Sequence, residues 1–219
     1  MLSFLLSISL GFSAIGLDDL PAERVEQIAK VVMADLQQDM RVKPSLVVTE
    51  RPEATPLGAI SYANGKCVVI VNTNVDAWAQ WGRFLNRANT SDWNAIVATS
   101  VAHEMGHCLR ESRDFVASFD VDEKQFRGLR STGGLGPAPE MVYKQELFAD
   151  TVAMIYAIEN TGDRAPNVIQ TMVRARAQYS ATDPTHNTAD VLQRVLVNPV
   201  RRQQHESVGE AAMRLLAAL

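Results

Sequence analysis

Apolar residues recur at Val25, Ile28, Ala29, Val32, Leu36 and Met40, the period of a helix with one buried face. Asp18-Asp19-Leu20-Pro21 precedes them, an acid to cap and a proline for the first turn, so a helix start is predicted there. The period then changes. Residues 45–49 (SLVVT), after Pro44, read as a strand, and residues 58–62 (GAISY) and 66–72 (KCVVIVN) as two more on either side of Asn64-Gly65, a strong hairpin signal. Helical patterning returns over residues 75–87 (VDAWAQWGRFLNR), where Trp78, Trp81 and Phe84 stand in three-residue steps, a stripe that predicts core or interface packing. An apolar run opening near Ser91 (SDWNAIVATSVAHEMGHCLRE) predicts the next helix. Another begins around Pro139, then one over about 165–179 and one after Thr188. The C-terminal GEAAMRLLAAL reads as a docking helix with Ala211, Leu215 and Leu216 on or near one face. Glycine and proline are dense at the end of residues 111–140 (GLRSTGGLGPAPE), which predicts either a loop framing a cleft or a disordered insertion. The element order predicts an α+β fold, mostly helical, with a small antiparallel sheet beside the helix that opens near Ser91.

Composition narrows the class. The chain has 219 residues, 47% of them hydrophobic, and a net charge of −4, enough for one sizeable core. No basic tract or basic-aromatic interleaving suggests nucleic acid, and Arg201-Arg202 reads as a solvated helix end. Residues 1–17 (MLSFLLSISLGFSAIGL) are apolar and uncharged, a length that fits a secretory signal better than a membrane span, with a small-residue pattern at Ala14-Ile15-Gly16. The expected division is a signal peptide over 1–16 and a single domain over 17–219, in a periplasmic or secreted protein. No Lys or Arg precedes the apolar run, so an uncleaved anchor or a buried first helix stands as an alternative. Cys67 and Cys108 are the two cysteines. In an oxidising compartment they could pair, tying the hairpin to the end of the metal helix.

The chemistry concentrates in His103-Glu104-Met105-Gly106-His107. Residues four apart on a helix project from nearly one face, so His103 and His107 can hold one ion, and neutral imidazole suits zinc. Glu104 lies about 100° round the helix, where its carboxylate can reach a metal-bound water without being a ligand. A catalytic zinc takes three protein ligands and keeps a fourth position open. Cys108, one residue past His107, points away from the two-histidine face. Glu146 and Asp150 stand four apart in an otherwise apolar helix. Glu146 is expected as the third ligand, and Asp150 as the acceptor for the other ring N–H of His103.

His103-Glu104-x-x-His107 on one helix and Glu146-x-x-x-Asp150 on a later one resemble the gluzincin metallopeptidases, and ANGKCVVIVN and VAHEMGHCL resemble their HtpX-like branch. The similarity runs from about residue 57 to residue 194. It implies a zincin-like domain and a zinc endopeptidase, from a group often membrane-bound or periplasmic and concerned in several cases with protein quality control. No internal transmembrane pair of the membrane-bound members is present, which implies a soluble or secreted form. Members of the family carry a threonine or serine before a histidine, usually then a proline, and an arginine downstream. Here Thr185-His186 matches, Asn187 replaces the proline, and Arg194 lies further away than the pattern expects. His186 is expected to donate to the oxyanion formed as water attacks, or else to be a capping or surface histidine. His205 reads as surface.

The expected reaction is zinc-assisted hydrolysis of peptide bonds in unfolded or extended protein. Zinc on His103, His107 and Glu146 activates water, and Glu104 takes its proton and passes it to the leaving amine. An exposed sheet edge could hold such a substrate by strand addition. Two other readings stand beside it: a zinc-containing binding module without turnover, with helix 75–87 as its contact surface, and a zinc amidase acting on cell-wall or small peptides.

Overall fold

The computed structural model describes residues 20–40, 43–52, 55–61, 66–86, 92–113, 138–179 and 183–218. The expected signal segment 1–16, the Asp18-Asp19 cap, the Asn64-Gly65 turn and nearly all of the 111–140 stretch lie outside these residues.

The first helix, α1 (Ala22–Leu36), buries Val25, Ile28, Ala29, Val32 and Leu36, the stripe its period predicts. Pro21 is its N-cap residue, with no side-chain cap bond, rather than a residue of the first turn. The pattern overshoots at the other end, where a 3-10 turn (Gln37–Asp39) intervenes before Met40, which is buried all the same.

Strands β1 (Ser45–Thr49), β2 (Leu57–Ser61) and β3 (Cys67–Asn72) form a sheet in the order β1-β3-β2. It is mixed, which corrects the antiparallel expectation: β2 pairs antiparallel with β3, and β1 pairs parallel with it. The cause is where β3 lands. β3 lies between its two predecessors, which themselves run in opposite directions, so it is antiparallel to β2 and parallel to β1. Along β3, Cys67, Val69 and Val71 are buried while Val68 and Ile70 are half-buried, so one face meets the core. The sheet's end is stitched to α2 (Val75–Asn86) through buried Asn72. Its amide donates to the Arg51 carbonyl at 2.7 Å, its side-chain oxygen accepts from the Asn74 N–H at 2.9 Å, and its carbonyl accepts from the Trp78 indole. Trp78 is buried and Trp81 packs against the core, so this pair of the aromatic stripe is packing rather than contact surface; the Phe84 side chain lies outside the described set.

Helices α3 (Trp93–Arg113) and α4 (Pro139–Asn160) pack on one another at the centre. α4 is buried almost all round from Tyr143 to Ile158, as befits a helix enclosed by neighbours. Those neighbours include α5 (Ala165–Ala177), α6 (Ala189–Val197) and α7 (Val208–Ala217). α7 starts on a Ser207/Glu210 capping box and buries Ala211, Ala212, Leu215 and Leu216, the core packing expected of it. Arg201-Arg202 is not a solvated helix end. It lies in the irregular stretch before α7, where Arg202 is paired at 2.7 Å with Glu159, near the end of α4. His205 is exposed, as read. Cys67 and Cys108 form a disulfide between β3 and α3. Among the described residues, no helix is long and apolar enough to cross a membrane.

Candidate metal centre

The two histidines come from the middle of α3 and the two acids from the middle of α4, so the site depends on how closely these helices meet. They meet at Gly106, between the histidines in sequence. A Cβ built there would stand 2.6 Å from the Ala149 Cα, too close for any side chain. The glycine inside the motif is thus the point where α4 backbone reaches α3, and Ala149 is flanked by the turn that carries Glu146 and by Asp150.

At that crossing the Nε2 atoms of His103 and His107 lie 3.1 Å apart. Glu146 completes the group, its Oε2 3.5 Å from His103 Nε2 and its Oε1 3.4 Å from His107 Nε2. Atoms held at about 2.0–2.2 Å from a tetrahedral zinc stand about 3.4 Å from each other. The spacing and the two-imidazole, one-carboxylate donor set therefore fit a metal ion, and these residues could hold one. His103 is fixed from behind: its Nδ1 donates to Asp150 Oδ1 at 2.8 Å, which leaves Nε2 to face the group. The expected geometry of His103, His107, Glu146 and Asp150 is therefore assembled.

Glu104, beside His103 on α3, carries a carboxyl pushed above its ordinary value by burial. The Glu146 and Asp150 charges add to that rise, while His103 and Arg176 oppose it. Burial likewise disfavours the charged form of His103, but the Asp150 charge and hydrogen bond outweigh it and raise the imidazole's pKa. Asp150 moves the other way: burial alone would raise its pKa, and Arg176 and His103 hold it well below the usual carboxylate range.

His186 sits on a 3-10 turn (Pro184–His186) before α6, about one-third exposed. Its Nδ1 donates to Asp183 Oδ2 at 2.6 Å, and its Nε2 lies 3.5 Å from Glu146 Oε1. It therefore faces the group rather than solvent alone. The Tyr179 ring lies beside it, centroids 5.6 Å apart.

Two residues were not foreseen. Arg176, from α5, lies between the acids: its Nε and Nη2 donate to the two Asp150 oxygens at 2.8 and 2.7 Å, and the same Nη2 donates to Glu146 Oε2 at 3.0 Å. The buried Thr188 hydroxyl donates to Asp150 Oδ2 at 2.5 Å. A trace of Arg176 was available in the pattern, because Ile169, Val173 and Arg176 fall in helical register, which sets a cation on the packed side of α5. Thr188 left none.

No protein-family model, curated protein or solved structure matches the chain.

Proposed function

We propose that the chain is a metal-dependent hydrolase, and more particularly a zinc endopeptidase similar to the HtpX-like gluzincins. The observation that carries the reading is the convergence of two imidazoles and one carboxylate at tetrahedral spacing, with the separate acid Glu104 next to the first imidazole. A purely structural zinc closes with four protein ligands and has no use for Glu104. Zinc bound there supplies a polarised carbonyl and a water acidified toward a pKa of about 7. Glu104 accepts the proton of the attacking water and delivers it to the leaving amine; burial raises its pKa in the metal-free site, the direction that favours a group able to both take and give a proton. Asp150 holds the tautomer of His103. His186, oriented by Asp183 and with Nε2 toward the group, is the donor to the oxyanion.

Among the described residues strand β2 is an edge of the sheet and packs beside α3, so its outer backbone edge suits an extended peptide laid along the site. The Cys67–Cys108 disulfide supports a periplasmic or secreted location, since such bonds persist in oxidising compartments. Metal analysis joined to cleavage of an unfolded protein tests the reading: one zinc per chain with chelator-sensitive cleavage supports it, whereas zinc without cleavage of any protein or peptide points to a binding module. Cleavage confined to small or cell-wall peptides points to an amidase.

A further inference from the structure

We infer that Arg176 is the resident counter-cation of the metal centre, a positioning residue that holds Glu146 and Asp150 in ligand geometry before any ion binds. The inference rests on the metal-site reading above. Glu146 and Asp150 are both buried, one turn apart on the same face of α4. Two carboxylates so placed repel each other, and each loses the water that would keep it charged. Without a cation between them, repulsion drives one to swing away, which either removes the Glu146 ligand or releases the His103 ring that Asp150 orients.

Arg176 answers both acids with one planar group. Its fork grips Asp150 in a bidentate pair, Nε to Oδ2 and Nη2 to Oδ1, and Nη2 extends to Glu146 Oε2. The same nitrogen lies 3.3 Å from both ring nitrogens of His103. One atom therefore touches the presumptive third ligand, the first ligand's ring and the acid that orients that ring. Lysine has no such fork; its ammonium could supply the charge but not the bidentate angle.

The charge balance points the same way. Glu104, Glu146 and Asp150 bring three negative charges when ionised, which one guanidinium and one dication offset. In the metal-free site Arg176 is a permanent positive charge placed against two of these acids. Small zinc domains solve this by staying unfolded until metal arrives. Here α5, which supplies no ligand, brings a permanent cation into the site, so that folding precedes metal loading.

Thermal unfolding of wild type, Arg176→Met and Arg176→Lys, each stripped of metal and each with excess zinc, tests this. Metal-free Arg176→Met should melt roughly 10 °C below wild type. Zinc should raise its melting temperature by more than it raises that of wild type, because the dication then replaces the missing charge; Arg176→Lys should fall between. If Arg176→Met folds only when refolded with zinc, that is the same result in its extreme form. An unchanged metal-free melting temperature overturns the inference. So does an equal loss with and without zinc, which is what a packing role alone gives, or failure to refold with zinc where wild type succeeds. A wild type that binds no zinc and shows no melting shift with it overturns the metal reading itself, an outcome separate from these.

Discussion

The centre is built from two regions held together by different physics. One is the α3–α4 crossing, where Gly106 lies against Ala149 and the ligand atoms are placed by backbone contact between two buried helices. The other is the rim contributed by α5 and residues 183–188, where Arg176, Thr188 and His186 reach the same acids through hydrogen bonds and charge. The crossing resists change because close-packed helices cannot give way without opening a void or a clash. The rim is exacting in another way, since every buried polar group there depends on its partner's presence. On the proposed reading, ligation belongs to the first region, and tuning of charge and of the transition state to the second.

The comparison can be broken most severely at its shared residue. Glu146→Ala removes a ligand from the crossing and one acceptor of Arg176 together, and should abolish zinc retention, read by metal analysis after dialysis, and with it cleavage. Next comes the disulfide, which anchors the crossing to the sheet one residue past His107. It closes a stretch with a sequence separation of 41, and the Cys67→Ala/Cys108→Ala variant should lose about 4 kcal/mol in denaturant unfolding. His186→Ala touches the rim alone: cleavage should fall about 10²–10³-fold with zinc content unchanged. Gly106→Ala acts on the crossing alone. Its methyl group meets the Ala149 backbone, and the cost should be about 1–3 kcal/mol of stability, with zinc bound more weakly as the helices part.

The smallest effect is a pH dependence within the crossing, between the His103–Asp150 pair and zinc. The folded-state pKa of His103 is raised by Asp150, so in the metal-free protein the protonated pair stabilises the fold below pH 6.5 and that contribution is lost as pH rises through the raised value. Zinc needs the neutral ring, so its binding strengthens over that same rise. The gain in melting temperature on adding zinc should therefore be small near pH 5.5 and grow toward pH 8.

Much of the crossing could be read from the chain because its information is periodic. Four-residue spacing on α3 and again on α4 puts His103 with His107 and Glu146 with Asp150 without knowledge of how the helices pack. The pairing of Cys67 with Cys108 was legible only as a possibility, since it depends on a distance between two elements. The sheet was misread in one respect for a related reason. Local pattern identifies the hairpin, but nothing in SLVVT says that β3 will lie between β1 and β2. The rim was read least well. Arg176 is separated from Asp150 by 26 residues and acts through the docking of α5. Polar contacts between non-periodic positions leave little mark on a single sequence.

On the proposed mechanism, Glu104 works on water at a zinc held by His103, His107 and Glu146. The most direct measurement is cleavage of unfolded casein by the purified protein and by Glu104→Gln, each assayed with and without a zinc chelator and each analysed for bound metal. The account predicts chelator-sensitive cleavage by wild type, and in Glu104→Gln one zinc per chain with cleavage reduced by at least about 10²-fold. Cleavage retained by Glu104→Gln, or cleavage by wild type that the chelator leaves untouched, would contradict it.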